Sequence, residues 1–128
     1  MRRLSDSLSA RHDALDGQLS LAAAAARAEE WPSYRARLAA LREDLLDHMS
    51  YEEEELFPAL ARGGLDRQEI ALLERQHANL RMQLDTLAAA APQFDPEGCI
   101  AELESLAELQ REHHARELAA CYPRAEAV

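Results

Sequence analysis

The chain has 128 residues, a formal net charge of −10, 48% apolar residues, and only four Gly, five Pro and 5% aromatics. That length reads as one domain, residues 1–128, long enough to bury a core. The acidic balance argues against nucleic acid or an anionic membrane as partner, since both call for a basic face. The apolar residues are mostly Leu and Ala with few β-branched residues, a vocabulary that predicts an all-α fold.

Taken in chain order, apolar residues fall on helical periods in four blocks. The opening Met-Arg-Arg-Leu-Ser-Asp runs into polar residues and does not read as a signal peptide. The first block carries Leu4, Leu8, Leu15, Leu19, Ala22 and Ala26 in step with His12, and is expected to end before Trp31-Pro32. Its apolar run Leu21–Ala26 is too short to span a bilayer. The second block begins near Ser33, read as an N-cap, and aligns Leu38, Leu41, Leu45, His48, Glu52 and Leu56 on one stripe. Pro58 lacks a backbone donor, so this helix should kink or stop there or within a turn, and Gly63-Gly64 is a clear break.

Asp66 and Glu69 have capping-box spacing at the head of the third block. Its stripe is Ile70, Leu73, His77, Leu80, Leu84 and Leu87. The fourth block opens with Asp95 as N-cap and Pro96 at the first helical position. Ile100, Leu103, Leu106, Gln110, His113, Glu117 and Cys121 share its inner face, and Pro123 should end it. Four helices with short connections predict an antiparallel up-down-up-down four-helix bundle. Cys99 and Cys121 then lie about 33 Å apart along one helix at 1.5 Å per residue. They cannot pair within the chain, and two free thiols point to a reducing, cytoplasmic setting.

Two blocks repeat one pattern. His48, Glu52, Phe57 and Pro58 recur at the same spacing as His113, Glu117, Tyr122 and Pro123. An i,i+4 His and Glu share a helix face, one turn apart. In an antiparallel bundle, residues equally far from a shared connection sit at one height. Counted this way, His12, His48, His77 and His113 fall in a common layer, the largest mismatch being about one helical turn. A lone histidine on an apolar stripe is ordinarily a hydrogen-bonded core residue. Four at one level beside two inward glutamates are different, because burying two unpartnered carboxylates costs several kcal/mol each. A pair of divalent cations offsets that cost and a Leu/Ala core does not.

These residues, over essentially the whole chain, resemble the hemerythrin-like (HHE cation-binding) family. They comprise a His early in the first helix, H-x-x-x-E followed by Phe-Pro in the second, a His in the third and H-x-x-x-E in the fourth. The resemblance implies a centre of two non-haem iron ions, open to an oxo or hydroxo bridge, inside the bundle. Carried over by position, Glu52 and Glu117 bridge the ions, His12 and His48 cap one iron, and His77 and His113 cap the other. Imidazole and carboxylate suit iron. The oxygen-carrying members have a further His one turn after the third-helix ligand. Arg81 stands there and cannot ligate, because it stays protonated. Arg81 is expected to point to solvent, the alternative being a cationic hydrogen-bond donor near the site.

Other residues are set aside. The run Glu52–Glu55 is mostly a solvated face; Glu55 falls near the inner face, but its counterpart in the repeat is Ala120. His114 rivals His113, and the repeat favours His113, leaving His114 at the surface or behind the ligands. Tyr51 and Tyr122 read as packing residues. Glu74-Arg-Gln-His77 is a single E-x-x-H, whereas ferritin-like di-iron bundles use two. The expected function is a di-iron protein whose partner is a small diatomic ligand or peroxide, with O2, NO or peroxide bound or reacted by a sensor, scavenger or weak oxidase. The other expectation is a metal-dependent structural or regulatory module that reports iron level without catalysis.

Overall fold

The computed structural model describes residues 4–90 and 95–121, with side chains from 10 to 89 and from 95 to 121. Within them the chain is all-helical, without strands. The helices are α1 (Leu4–Arg27), α2 (Trp31–Tyr51), a π-helical turn (Glu52–Leu56), α3 (Phe57–Arg62), α4 (Arg67–Ala90) and α5 (Pro96–Cys121). The expected Tyr122-Pro123 stop and the side chains of Leu4 and Leu8 lie outside the described residues.

The helix ends follow from local chemistry. After α1, the Glu30 amide bonds the Ala25 carbonyl and the Glu29 amide bonds that of Ala26, the two bonds of a Schellman motif. Its left-handed position falls on Glu29, at φ 54°, a conformation that costs a residue with a Cβ about 1 kcal/mol. The same motif closes α3 through Leu65 to Leu60 and Gly64 to Ala61, and there glycine takes the φ of 99°. Ser33 is not the cap of α2. That helix already starts at Trp31, with Pro32 in its first turn and Glu30 at the cap position, where no side chain bonds the free amides. Proline lacks one of those donors and its φ is preset, so the cap position falls three residues earlier than expected. Asp66 Oδ1 does accept from the Gln68 amide at 2.8 Å, but Glu69 does not complete a box; Arg116 of α5 holds its carboxylate.

The second helical stretch passes Pro58 by widening. The Phe57 amide reaches back five residues to the Glu52 carbonyl, the π pattern. Pro58, next in line, has no amide to give, and its ring would press on the preceding turn of a regular helix. The wider turn absorbs this, and the helix continues to Arg62.

The interior has two apolar parts. The larger cluster joins Leu15, Leu19, Leu41, Leu45, Met49, Leu80, Leu84, Leu103 and Leu106 with their neighbours. The smaller holds Leu56, Phe57, Leu60, Leu73, Ala120 and Cys121. Helix α1 packs on α2 and α5, α5 also packs on α4, and α2 and α3 meet α4. Between the two clusters, the inner stripes change from leucine to histidine and glutamate. His48, Glu52, His77, Gln110, His113 and Glu117 are all buried there.

Candidate metal centre

Each of three helical stretches supplies its part through a simple repeat. On α2, Leu41, Leu45 and His48 continue one stripe into Glu52. On α4, His77 lies between Leu73 and Leu80, and on α5 His113 and Glu117 extend the line of Leu103 and Leu106. All of these side chains are buried. One donor atom from each of Glu52, His77, His113 and Glu117 lies within 4.8 Å of the others.

Glu52 is the hub. Its Oε1 is 2.8 Å from His77 Nε2 and 3.2 Å from His113 Nε2, while Oε2 is 3.0 Å from His48 Nε2. Glu117 Oε2 is 3.2 Å from His113 Nε2. Neither Glu52 Oε2 nor Glu117 Oε2 has a partner in hydrogen-bond geometry. The two imidazole Nε2 atoms of His77 and His113 are 2.9 Å apart.

The outer nitrogens decide what the inner ones are. His77 Nδ1–H donates to Glu53 Oε2 at 2.6 Å, and His113 Nδ1–H donates to Gln76 Oε1 at 2.8 Å. With the proton on Nδ1, each neutral ring turns a lone pair inward at Nε2. Two nitrogen lone pairs and the carboxylate oxygens then converge on one buried point, which must hold positive charge. In the metal-free protein that charge is protons. Burial pushes the His113 pKa down, but Glu117 and Glu52 outweigh it and raise it to about 9. Burial and the neighbouring Glu52 raise Glu117 well above the carboxyl range. Burial also pushes Glu52 upward, yet the polar groups around it, Glu117, His113, His48 and His77, prevail and hold it low. A cation replaces those protons with one charge that every donor can face, and the donor set of nitrogen and oxygen suits a divalent transition metal.

The six residues expected in this layer are not equally placed. Glu52, His77, His113 and Glu117 form the tight group, and His48 touches it through Glu52. His48 Nδ1 also accepts a long bond, 3.5 Å, from Arg11, whose guanidinium lies over the Tyr51 ring. His12 is buried but stands apart. Its ring stacks on His114, centroids 4.0 Å apart and planes 4° from parallel, and its Nε2 is 3.4 Å from Asp16. Its Nδ1 is buried and unpartnered.

Two residues around the centre went unread in the sequence, and for a third, Arg81, the less favoured reading, a hydrogen-bond donor near the site, is the one found. Glu53 belongs to a run taken as a solvated face, yet it holds His77. Gln76 had no assigned role, yet it holds His113. Arg81 is not simply directed to solvent: it is partly covered, and its Nη2 donates to both oxygens of Glu53, at 3.0 and 2.8 Å. A glutamate or glutamine that backs a ligand histidine obeys no fixed spacing. Position next to the proposed ligands, Glu52 and His77, was the available signal.

Among the described residues the chain is helical and carries a buried, convergent histidine–carboxylate cluster able to hold a metal ion. The family model of the hemerythrin HHE cation binding domain matches residues 3–125, and the chain belongs to that family. No curated protein and no solved structure gave a match.

Proposed function

We propose that this chain is a hemerythrin-like metalloprotein whose two iron ions, held by His12, His48, Glu52, His77, His113 and Glu117, bind or react with O2, NO or peroxide. The observation that carries this is the convergence of His77 Nε2, His113 Nε2 and the Glu52 and Glu117 oxygens on one buried point. When bound, iron supplies one-electron redox chemistry and coordination positions open to a small ligand. The chain's own residues orient the donors and exclude water. Glu53 and Gln76 fix the two imidazole tautomers, and the Phe57 ring packs 5.0 Å from that of His77. Arg81 occupies the place of the further histidine of oxygen carriers and is committed to Glu53, which favours a sensing or reactive centre over an oxygen store.

We further infer an antiparallel up-down-up-down course within one domain. Supporting it are the short links between consecutive helices and the packing of α1 against both α2 and α5. A cytoplasmic location fits the two free, buried cysteines, both on α5. Among the described residues no helix is long and apolar enough to cross a membrane.

Anaerobic loading with Fe(II), metal analysis, and absorption spectra under argon and then air test the reading. Two irons per chain and new ferric charge-transfer bands in air are expected. Less than one iron per chain with no spectral change overturns it. The alternative, a module whose folding reports iron level, draws on the full burial of the cluster between two apolar regions. A large metal-dependent rise in melting temperature without any reaction with O2, NO or peroxide would favour the module.

A further inference from the structure

The two imidazoles at the heart of the cluster are backed by unlike groups. Behind His77 stands a carboxylate, Glu53 Oε2 at 2.6 Å from Nδ1; behind His113 stands a neutral amide, Gln76 Oε1 at 2.8 Å. A hydrogen bond to an ionised acceptor is roughly twice as strong as one between neutral groups. A carboxylate behind a ligating imidazole also raises the basicity of the nitrogen that faces the metal.

Glu53 is itself gripped. Arg81 Nη2 donates to both of its oxygens, and a guanidinium does not lose its proton. The carboxylate is therefore kept anionic and held in one rotamer. Local structure creates the arrangement. Glu52 and Glu53 are consecutive at the head of the π-helical turn and bracket a single imidazole, Glu52 at Nε2 and Glu53 at Nδ1. Arg81 lies one turn beyond His77 on the same face of α4, so it reaches the outer edge of that ring's partner. Glu53 and Arg81 retain 33% and 40% side-chain exposure, which puts the brace at the rim of the buried layer and not inside it.

We propose that Glu53 and Arg81 form a charged brace that makes His77 the stronger of the two imidazole donors and sets the metal affinity of the centre. Both are positioning residues, since neither touches the cluster point. The proposal rests on the metal-centre reading above. It gives a role to the position that departs from the oxygen carriers. A cation there cannot ligate, but it fixes the carboxylate that tunes a ligand.

The test uses Co(II), a redox-stable probe of the same donor class, with affinity measured by chelator competition. Proton–nitrogen NMR of the imidazoles in the metal-free protein gives a second readout. Glu53→Gln keeps an acceptor and removes its charge, so Co(II) affinity should fall 10- to 100-fold. The His77 Nδ1 proton resonance should move upfield toward that of His113. Arg81→Gln should move both readouts the same way by less, and Glu53→Asp should recover part of the affinity. Gln76→Glu, which sets a carboxylate behind His113, should shift the His113 resonance downfield. Unchanged Co(II) affinity in Glu53→Gln, or an unmoved His77 resonance, overturns the brace while leaving the metal centre standing. If the parent protein takes up no Co(II) or Fe(II), the metal-centre reading fails and the brace falls with it.

Discussion

Chelator-treated protein should lose stability as pH rises from 6.5 to 9, and metal-loaded protein should not. The perturbation is the proton on His113. Its folded pKa is about 9 against an ordinary 6.5, so folding favours the protonated ring. A raised pKa contributes fully below the unfolded value and is lost as pH climbs through the folded one. At about 1.4 kcal/mol per pKa unit, the contribution is at most about 3 to 4 kcal/mol, most of it lost by pH 9. With about 2.1 cal/mol/K of unfolding entropy per residue, the melting temperature should fall by roughly 10 °C across that interval. Glu117, also raised, acts in the same direction: its contribution is complete below the ordinary carboxyl range and is lost as pH climbs through its raised folded value. Glu52, held low, contributes above the ordinary carboxyl range and is constant here. No lysine adds to the change, because every one of the 14 Lys and Arg positions is arginine, which does not titrate in this interval.

Metal binding reverses the sign, because imidazole and carboxylate ligate only when deprotonated. The gap between metal-loaded and chelator-treated melts should therefore widen with pH. Thermal melts followed by circular dichroism at several pH values, with and without chelator, measure both curves. A chelator-treated melting temperature that stays flat or rises between pH 6.5 and 9 would refute the proton assignment. It would mean that the convergent donors are relieved in some other way.

Glu52→Ala and Glu117→Ala should each abolish binding of two metal ions per chain, as read by metal analysis, because each carboxylate is proposed to serve both. His114→Ala should leave metal content unchanged, although it removes the ring stacked on His12; loss of metal would make His114 a ligand. Acidification should release the metal as the histidines protonate, and full occupancy after equilibration at pH 4 would contradict imidazole ligation. Glu29→Gly should raise the melting temperature, since glycine occupies the left-handed position at a saving of about 1 kcal/mol, less the entropy it adds to the unfolded chain. An unchanged or lower value would show that the Glu29 side chain stabilises that turn.

Periodicity was enough to locate the helices and their inner faces. The spacing of Leu41, Leu45, His48 and Glu52 is that of a helix stripe, and all four are buried. The capping signals were less decisive. Asp66 caps as expected, but Ser33 does not, because Pro32 already suits the first turn of a helix that starts at Trp31. Height counting brought His48, His77 and His113 to one level, yet it is blind to which way a ring turns. His12 is at home against His114, a contact between neighbouring helices that no single-helix stripe displays. Glu53 was hidden for a different reason. A regular helix points it away from Glu52, and only the fold shows both meeting one imidazole from opposite edges.

The division of the core has a mechanical consequence. Among the described residues, the smaller apolar cluster has six buried side chains, Leu56, Phe57, Leu60, Leu73, Ala120 and Cys121, against sixteen in the larger. Its cohesion passes through the histidine–glutamate layer that joins it to the rest. That layer acts as a coupling between a large anchored body and a small end cap. Draining it of metal should let α3 and the adjoining ends of α4 and α5 open as a unit while the larger cluster stays closed. Hydrogen exchange would then divide the amides of one short chain into two populations, with the boundary at Glu52.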